Sequence, residues 1–176
     1  MKTEKPLPTH LPTQSQRSAR EEEALAEAVI GEAKLTTNGF YVRIFADAPS
    51  RPPVLSPPMV MVVEDDDVTA RLIEHILLKA DYRVVRAANR AEIIVGFRAE
   101  PDLVLLDVML PDLNGFDVLN QIRSNEKTKN LPVLMLSSLG SLGDIMKGFT
   151  LGANGYLTKP AESAALLAAI EEVLIQ

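Results

Sequence analysis

From residue 59 onward, short apolar runs alternate with stretches in which apolar residues recur every three or four positions. The short runs predict strands over 60–63, 82–86, 103–106, 133–136 and 156–157. The periodic stretches predict helices over 68–80, 91–99, 115–123, 141–151 and 162–175, the first with Leu72/Ile76 and Ile73/Leu77 on one face. Strand followed by helix, repeated along the chain, implies right-handed crossovers and a parallel sheet covered on both faces. LVLL and VLML hardly alternate, as central strands of such a sheet require.

The pattern before residue 59 is different. Residues 1–20 are polar and proline-bearing, a composition that predicts a disordered tail. Residues 21–35 place Leu25, Val29 and Ala33 at helical spacing beside Ala26 and Ile30, behind an acidic first turn, and predict one amphipathic helix. After Asn38-Gly39, residues 40–45 alternate as a strand would. These two elements cannot bury a core alone, so they dock on something, wait for a partner, or stay partly unfolded. The proline-dense stretch 49–58 predicts a semi-stiff spacer. The division is therefore an N-terminal extension, 1–58, and a domain, 59–176.

Composition narrows the classes. With 47% hydrophobic residues in 176, the chain builds one core plus an extension. A net charge of -6 speaks against nonspecific binding to nucleic acid or to an anionic membrane. The absence of cysteine excludes disulfides, cysteine zinc sites and thiol nucleophiles. No apolar stretch has the length of a membrane span, and a cytoplasmic location is expected.

The candidate chemistry lies at strand ends. The run VMVVEDDDVTARL ends a buried strand on four acids, Glu64, Asp65, Asp66 and Asp67. Such clustering is costly unless a cation or backbone donors compensate. Asp107 follows the third strand, Ser137 and Ser138 the fourth, and Lys159 the fifth, all at the sheet edge where open α/β sheets bind ligands. If the first and third strands are neighbours, Glu64, Asp65 and Asp107 converge, and three oxygen ligands suit a hard dication such as Mg2+. Asp67 is expected to cap the helix that follows and Asp66 to be a solvated loop charge. In PDLNG, Pro111 fixes φ and Gly115 supplies a permissive conformation. His10 and His75 have no metal-like spacing, and His75 is expected on a helix surface.

In order, VVEDD, LVLLDVMLPDLNGFDVL, LPVLMLSS and GYLTKP resemble the response-regulator receiver domains (CheY-like) of two-component signalling. The resemblance runs from about Met59 to the C-terminus. It implies a flavodoxin-like, doubly wound five-stranded parallel sheet of order 2-1-3-4-5. It also implies that Asp107 is the phosphoacceptor, that Glu64, Asp65, Asp107 and the backbone carbonyl of Met109 hold Mg2+, and that Lys159 assists the transfer. Ser137 matches the switch hydroxyl, Tyr156 the aromatic that changes rotamer, and Pro160 the proline after a cis peptide at Lys159. The implied partners are a sensor histidine kinase or histidine phosphotransfer protein and an unknown downstream protein target; phosphorylation-dependent dimerisation is open. Such a protein is a phosphoacceptor rather than an enzyme, although it assists its own phosphorylation and dephosphorylation.

The chain ends shortly after the fifth helix, which points to a single-domain regulator acting by contact, by phosphoryl relay or through its extension. A receiver used as a phosphorylation-independent binding module is the alternative. A haloacid-dehalogenase-type phosphatase also places an aspartate after a strand, but requires a second aspartate where this chain has Met109. Two departures from the family pattern are Glu64 for the commoner aspartate and Ala161 for the usual phenylalanine after Lys-Pro. Met109 and Leu139, two positions after the acceptor and the switch hydroxyl, cannot orient an attacking water. Self-dephosphorylation is therefore expected to be slow; a phosphoryl half-life of only seconds, in purified protein with Mg2+, contradicts this.

Overall fold

The computed structural model describes residues 33–35, 41–43, 57–138 and 141–175, to which all structural statements refer. The strands are β1 (Ala33–Leu35), β2 (Tyr41–Arg43), β3 (Met59–Val63), β4 (Arg83–Ala87), β5 (Leu103–Asp107), β6 (Met109–Leu110), β7 (Leu113–Asn114), β8 (Val133–Ser137) and β9 (Gly155–Thr158). The helices are α1 (Asp67–Lys79), α2 (Arg90–Gly96), α3 (Gly115–Ser124), α4 (Leu142–Thr150) and α5 (Ser163–Leu174). A 3₁₀ turn, Phe97–Ala99, closes α2.

The main sheet runs β1-β2-β9-β8-β5-β3-β4. Its five strands from β9 to β4 are mutually parallel, in the flavodoxin-like order expected. Successive side chains on a strand point to opposite faces, and the core divides accordingly. On one face Met61, Val63, Val104, Leu106 and Met135 pack against Ile93 of α2, Leu119 and Ile122 of α3, and Phe149 of α4. On the other, Val60, Val62, Leu103, Leu105 and Leu134 pack against Ile73 and Leu77 of α1 and Leu166 and Ile170 of α5. β5 and β8 are buried throughout, which explains their unbroken apolar sequence. Each fully buried Leu or Met contributes roughly 1.5–3 kcal/mol over its exposed state, so many comparable terms fix the sheet.

Two expectations shift by a residue or a face. Asp66, rather than Asp67, caps α1: its Oδ1 accepts from Thr69 N at 2.7 Å. Asp67 begins the helix and pairs with Arg71 at 2.8 Å and Arg86 at 2.5 Å. Leu72 is 58% exposed, because α1 meets the sheet through Ile73, Ile76 and Leu77. His75 is exposed, as expected.

The N-terminal elements join the same sheet. Ala33–Leu35, expected to end a helix, form β1, where pairing with β2 satisfies the backbone instead. Tyr41–Arg43 form the expected strand and pair antiparallel with β9. The rest of both elements, residues 1–20, most of the spacer and Leu139 lie outside the described residues. Pro57 and Pro58 lead into β3, and their carbonyls accept from Arg83 Nε at 3.0 Å and Arg83 N at 2.9 Å.

Arg123 ties α3 to the segments entering β8 and β9. Its guanidinium donates to Gly152 O at 2.8 Å, Leu131 O at 2.7 Å and Asn154 Oδ1 at 2.9 Å. Among the described residues no carboxylate joins these bonds, and burial pushes its pKa down to about 10. Arg123→Met removes all three donors and strands their acceptors, at an expected cost of roughly 2–4 kcal/mol. A lower urea midpoint at unchanged m-value checks this; an unchanged midpoint refutes it.

Candidate functional site

Strand order reverses between β3 and β5, since β3 is followed on one side by β4 and flanked on the other by β5. The carboxyl ends of these two strands therefore frame the crevice in which open sheets hold ligands. Glu64 and Asp65 leave β3 there, and Asp107 is the last residue of β5. One carboxylate oxygen from each of the three lies within 4.8 Å of the others. Glu64 is 4% and Asp107 5% exposed, whereas Asp65 stands in solvent at the rim.

Lys159 reaches the same point from the end of β9. Its Nζ donates to Asp107 Oδ2 at 2.7 Å and pairs with Glu64 Oε2. Burial opposes the ammonium, but the hydrogen bonds and charges of Asp107 and Glu64 outweigh it and raise its pKa. Burial raises the Glu64 pKa in turn, only partly offset by Lys159. The Lys159 backbone is anchored as well: its N–H donates to Ser137 O at 2.8 Å, and its peptide bond to Pro160 is cis, as expected.

The other oxygens have lighter partners. Asp107 Oδ1 accepts from Met109 N at 3.1 Å, and Glu64 Oε1 from Asp66 N at 3.3 Å. Three carboxylates against one ammonium leave unbalanced negative charge. Each carboxylate oxygen can accept again, so this donor set fits a hard divalent cation. Met109 lies at the mouth with its side chain 60% exposed.

Behind Asp107, Ser137 closes β8 and is fully buried. It is hydrogen-bonded to Tyr156, whose ring is also fully buried and whose pKa burial raises. A Cβ on Gly148 of α4 would lie 3.2 Å from that ring, so the helix packs directly upon it. The structure thus joins Glu64, Asp65, Asp107 and Lys159 in one cluster and sets Ser137 and Tyr156 one layer away. Ser138 is exposed, and Asp66 and Asp67 are engaged in capping and ion pairing instead.

Gly115 has a stricter role than the sequence indicated. Its φ is not in the left-handed region; rather, a Cβ there would lie 2.1 Å from the Asp107 carbonyl oxygen. Its N–H donates to Val108 O at 2.9 Å, bringing the start of α3 onto the end of β5. Asn114 Oδ1 caps that helix by accepting from Phe116 N at 2.9 Å. The glycine in PDLNG was visible as a turn residue, but its close approach to Asp107 was not.

Comparison with known proteins gives a consistent answer. The family model for the response regulator receiver domain matches residues 60–171. The DNA-binding dual master transcriptional regulator RpaA of Synechocystis sp. is 36% identical over 118 residues, 66% of this chain and 49% of that protein. The transcriptional regulatory protein CusR of Escherichia coli is 36% identical over 116 residues, 65% of this chain and 50% of that one. The chain spans about half the length of these relatives. Among solved structures, Vibrio cholerae chemotaxis protein CheY4 superposes with a TM-score of 0.64 at 28% identity, covering 67% of this chain and 99% of that one. A CheY-like receiver domain from Methanospirillum hungatei gives 0.62 at 28% identity, covering 68% and 94%.

Lys159→Met strands two buried carboxylates and is expected to cost roughly 3 kcal/mol near neutral pH. Without the ammonium, the lowering effect of Lys159 on Glu64 is lost, so this carboxyl takes up its proton at a higher pH in the folded than in the unfolded state. Stability of the variant then increases as pH falls. Urea midpoints of both proteins between pH 7 and pH 5 test this: the deficit should shrink on acidification, and a constant or growing deficit refutes the account.

Proposed function

Because the chain belongs to the response-regulator receiver family, we propose that residues 59–176 form a phosphorylation switch whose acceptor is Asp107. The carrying observation is the convergence of the Glu64, Asp65 and Asp107 carboxylates, with Lys159 Nζ 2.7 Å from Asp107 Oδ2. The donor is a phosphohistidine on a sensor histidine kinase or histidine phosphotransfer protein. An Asp107 carboxylate oxygen attacks phosphorus; the new P–O bond forms as the P–N bond breaks, and its electron pair leaves with the histidine nitrogen.

Positioning and charge neutralisation dominate such transfers. Lys159 already sits on the acceptor and can follow the phosphoryl oxygens on its flexible stem. Glu64, Asp65, Asp107 and the Met109 backbone carbonyl would hold Mg2+, which supplies charge stabilisation to the phosphoryl group. Gly115 keeps the acceptor backbone in place.

The readout runs through Ser137. Its hydroxyl donates to a phosphoryl oxygen on Asp107, which changes its bond to Tyr156 and so reshapes the face formed by α4, β9 and α5. A local charge thereby biases a two-state population. That face contacts a downstream protein, and it is also where phosphorylation-dependent dimerisation would occur. RpaA is described as DNA-binding; residues 59–176 correspond to only part of it and are read here as acting through protein contacts. A cytoplasmic location follows from a kinase donor, and among the described residues no helix is long and apolar enough to cross a membrane.

Incubation with Mg2+ and acetyl phosphate, followed by intact mass spectrometry, tests the assignment. The expected result is a single acid-stable, base-labile phosphoryl adduct on the wild type and none on folded Asp107→Ala. An adduct that persists in the variant overturns Asp107 as acceptor.

A further inference from the structure

The outer edge of β9 would present unpaired N–H and C=O groups, as any edge strand does. In this chain β2 fills it, with Tyr41 opposite Tyr156 and Val42 opposite Gly155. β1 backs β2 through Ala33–Arg43, Lys34–Val42 and Leu35–Tyr41, and β2 also lies beside α5.

The register bears directly on the switch. Lys159 N donates to Ser137 O, so residue 159 faces β8. Period-two alternation then turns residues 155 and 157 toward β8 and the backbone groups of Tyr156 and Thr158 outward. Tyr41 and Tyr156 are therefore the hydrogen-bonded pair of the antiparallel ladder. The Tyr156 side chain leaves the sheet on the face covered by α4, where it is buried and bonded to Ser137. One residue is thus held on both sides, by the hairpin outside and by the switch hydroxyl inside. Rotamer choice depends on φ and ψ, so fixing the Tyr156 backbone biases its ring.

The occupant can come from the same chain. Residues 44–58 join β2 to β3, and fifteen extended residues reach about 50 Å. β2 and β3 stand four strand spacings apart in the sheet, about 19 Å. A tether of this kind supplies an effective concentration on the order of millimolar, well above that of a second copy in dilute solution.

We propose that the outer edge of β9 is a strand-accepting regulatory surface whose occupant is the chain's own β1–β2 hairpin, and that docking there holds Tyr156 in its inward position. The coupling is reciprocal: a change at Asp107 that favours inward Tyr156 tightens the hairpin, and the docked hairpin favours that change equally. The meaning of this coupling as signalling rests on the acceptor function proposed above; the docking does not.

The test uses the full chain as wild type, Tyr41→Pro, which loses the ladder N–H, and Tyr41→Phe, which keeps it. In wild type and Tyr41→Phe, the Tyr156 amide should exchange at least about tenfold more slowly than it does in Tyr41→Pro. In Tyr41→Pro this protection should vanish while Leu157, which faces β8, stays protected and reports an intact sheet. The Tyr156 ring resonance should shift or split in Tyr41→Pro alone. Fast Tyr156 exchange in wild type, or protection surviving in Tyr41→Pro, overturns the docking; an unchanged ring resonance overturns the hold on Tyr156. Beryllofluoride with Mg2+ supplies the last arm: an affinity in Tyr41→Pro that differs at least about fivefold from that of wild type supports the coupling, and equal affinity overturns it. If wild type forms no beryllofluoride adduct, the acceptor function fails, and the exchange and ring measurements still decide the hairpin's role.

Discussion

The Lys159 ammonium between the buried carboxylates of Glu64 and Asp107 is the contact on which the rest depends. It joins three strand ends that the chain visits at widely separated points, β3, β5 and β9. Without it, two carboxylates with 4% and 5% exposure would face each other unpaired, an arrangement costly enough to unfold a marginal domain. With it, the pair is held but not neutralised, because Asp65 adds a third carboxylate at the rim. The site keeps a demand for positive charge, and a pocket with that demand suits both a dication and a phosphoryl group accompanied by one.

The sheet makes this arrangement by topology rather than by local sequence. Placing β3 between β4 and β5 opens a crevice at the carboxyl ends, and parallel packing brings Glu64, Asp65, Asp107, Ser137 and Lys159 to that edge. The apolar residues of β5 and β8 then serve the site indirectly, since their burial fixes where Asp107 and Ser137 stand. Gly115 and Arg123 add local constraints, one by letting α3 approach the Asp107 backbone, the other by holding the segments before β8 and β9.

Much of this was legible in the sequence. Unbroken runs such as LVLL announced central strands, and acids, hydroxyls and a lysine immediately after them announced a site at one edge. Less legible were features set by tertiary contact. Leu72 has helical spacing with Ile76 but lies off the buried face, because spacing does not say which of two adjacent stripes meets the sheet. Asp66 took the cap expected of Asp67 because either can cap a helix, and Asp67 instead pairs with Arg71 and with Arg86 on β4. Ala33–Leu35 carry helix-compatible residues, and only pairing with a strand that itself leans on β9 makes them a strand. The tightness around Gly115 depends on β5 lying beneath it, which no local motif encodes.

The central claim is that the carboxylates of Glu64, Asp65 and Asp107 form one site that needs a dication. Calorimetric titration of Mg2+ into the purified chain, alongside Asp65→Asn, tests it most directly, because Asp65 stands in solvent and its replacement leaves the buried pair with Lys159 intact. The account predicts one Mg2+ per chain for the wild type and at least about tenfold weaker binding for the variant, a difference of about 1.4 kcal/mol. Equal affinity in the two proteins, or no saturable binding to the wild type, would contradict it.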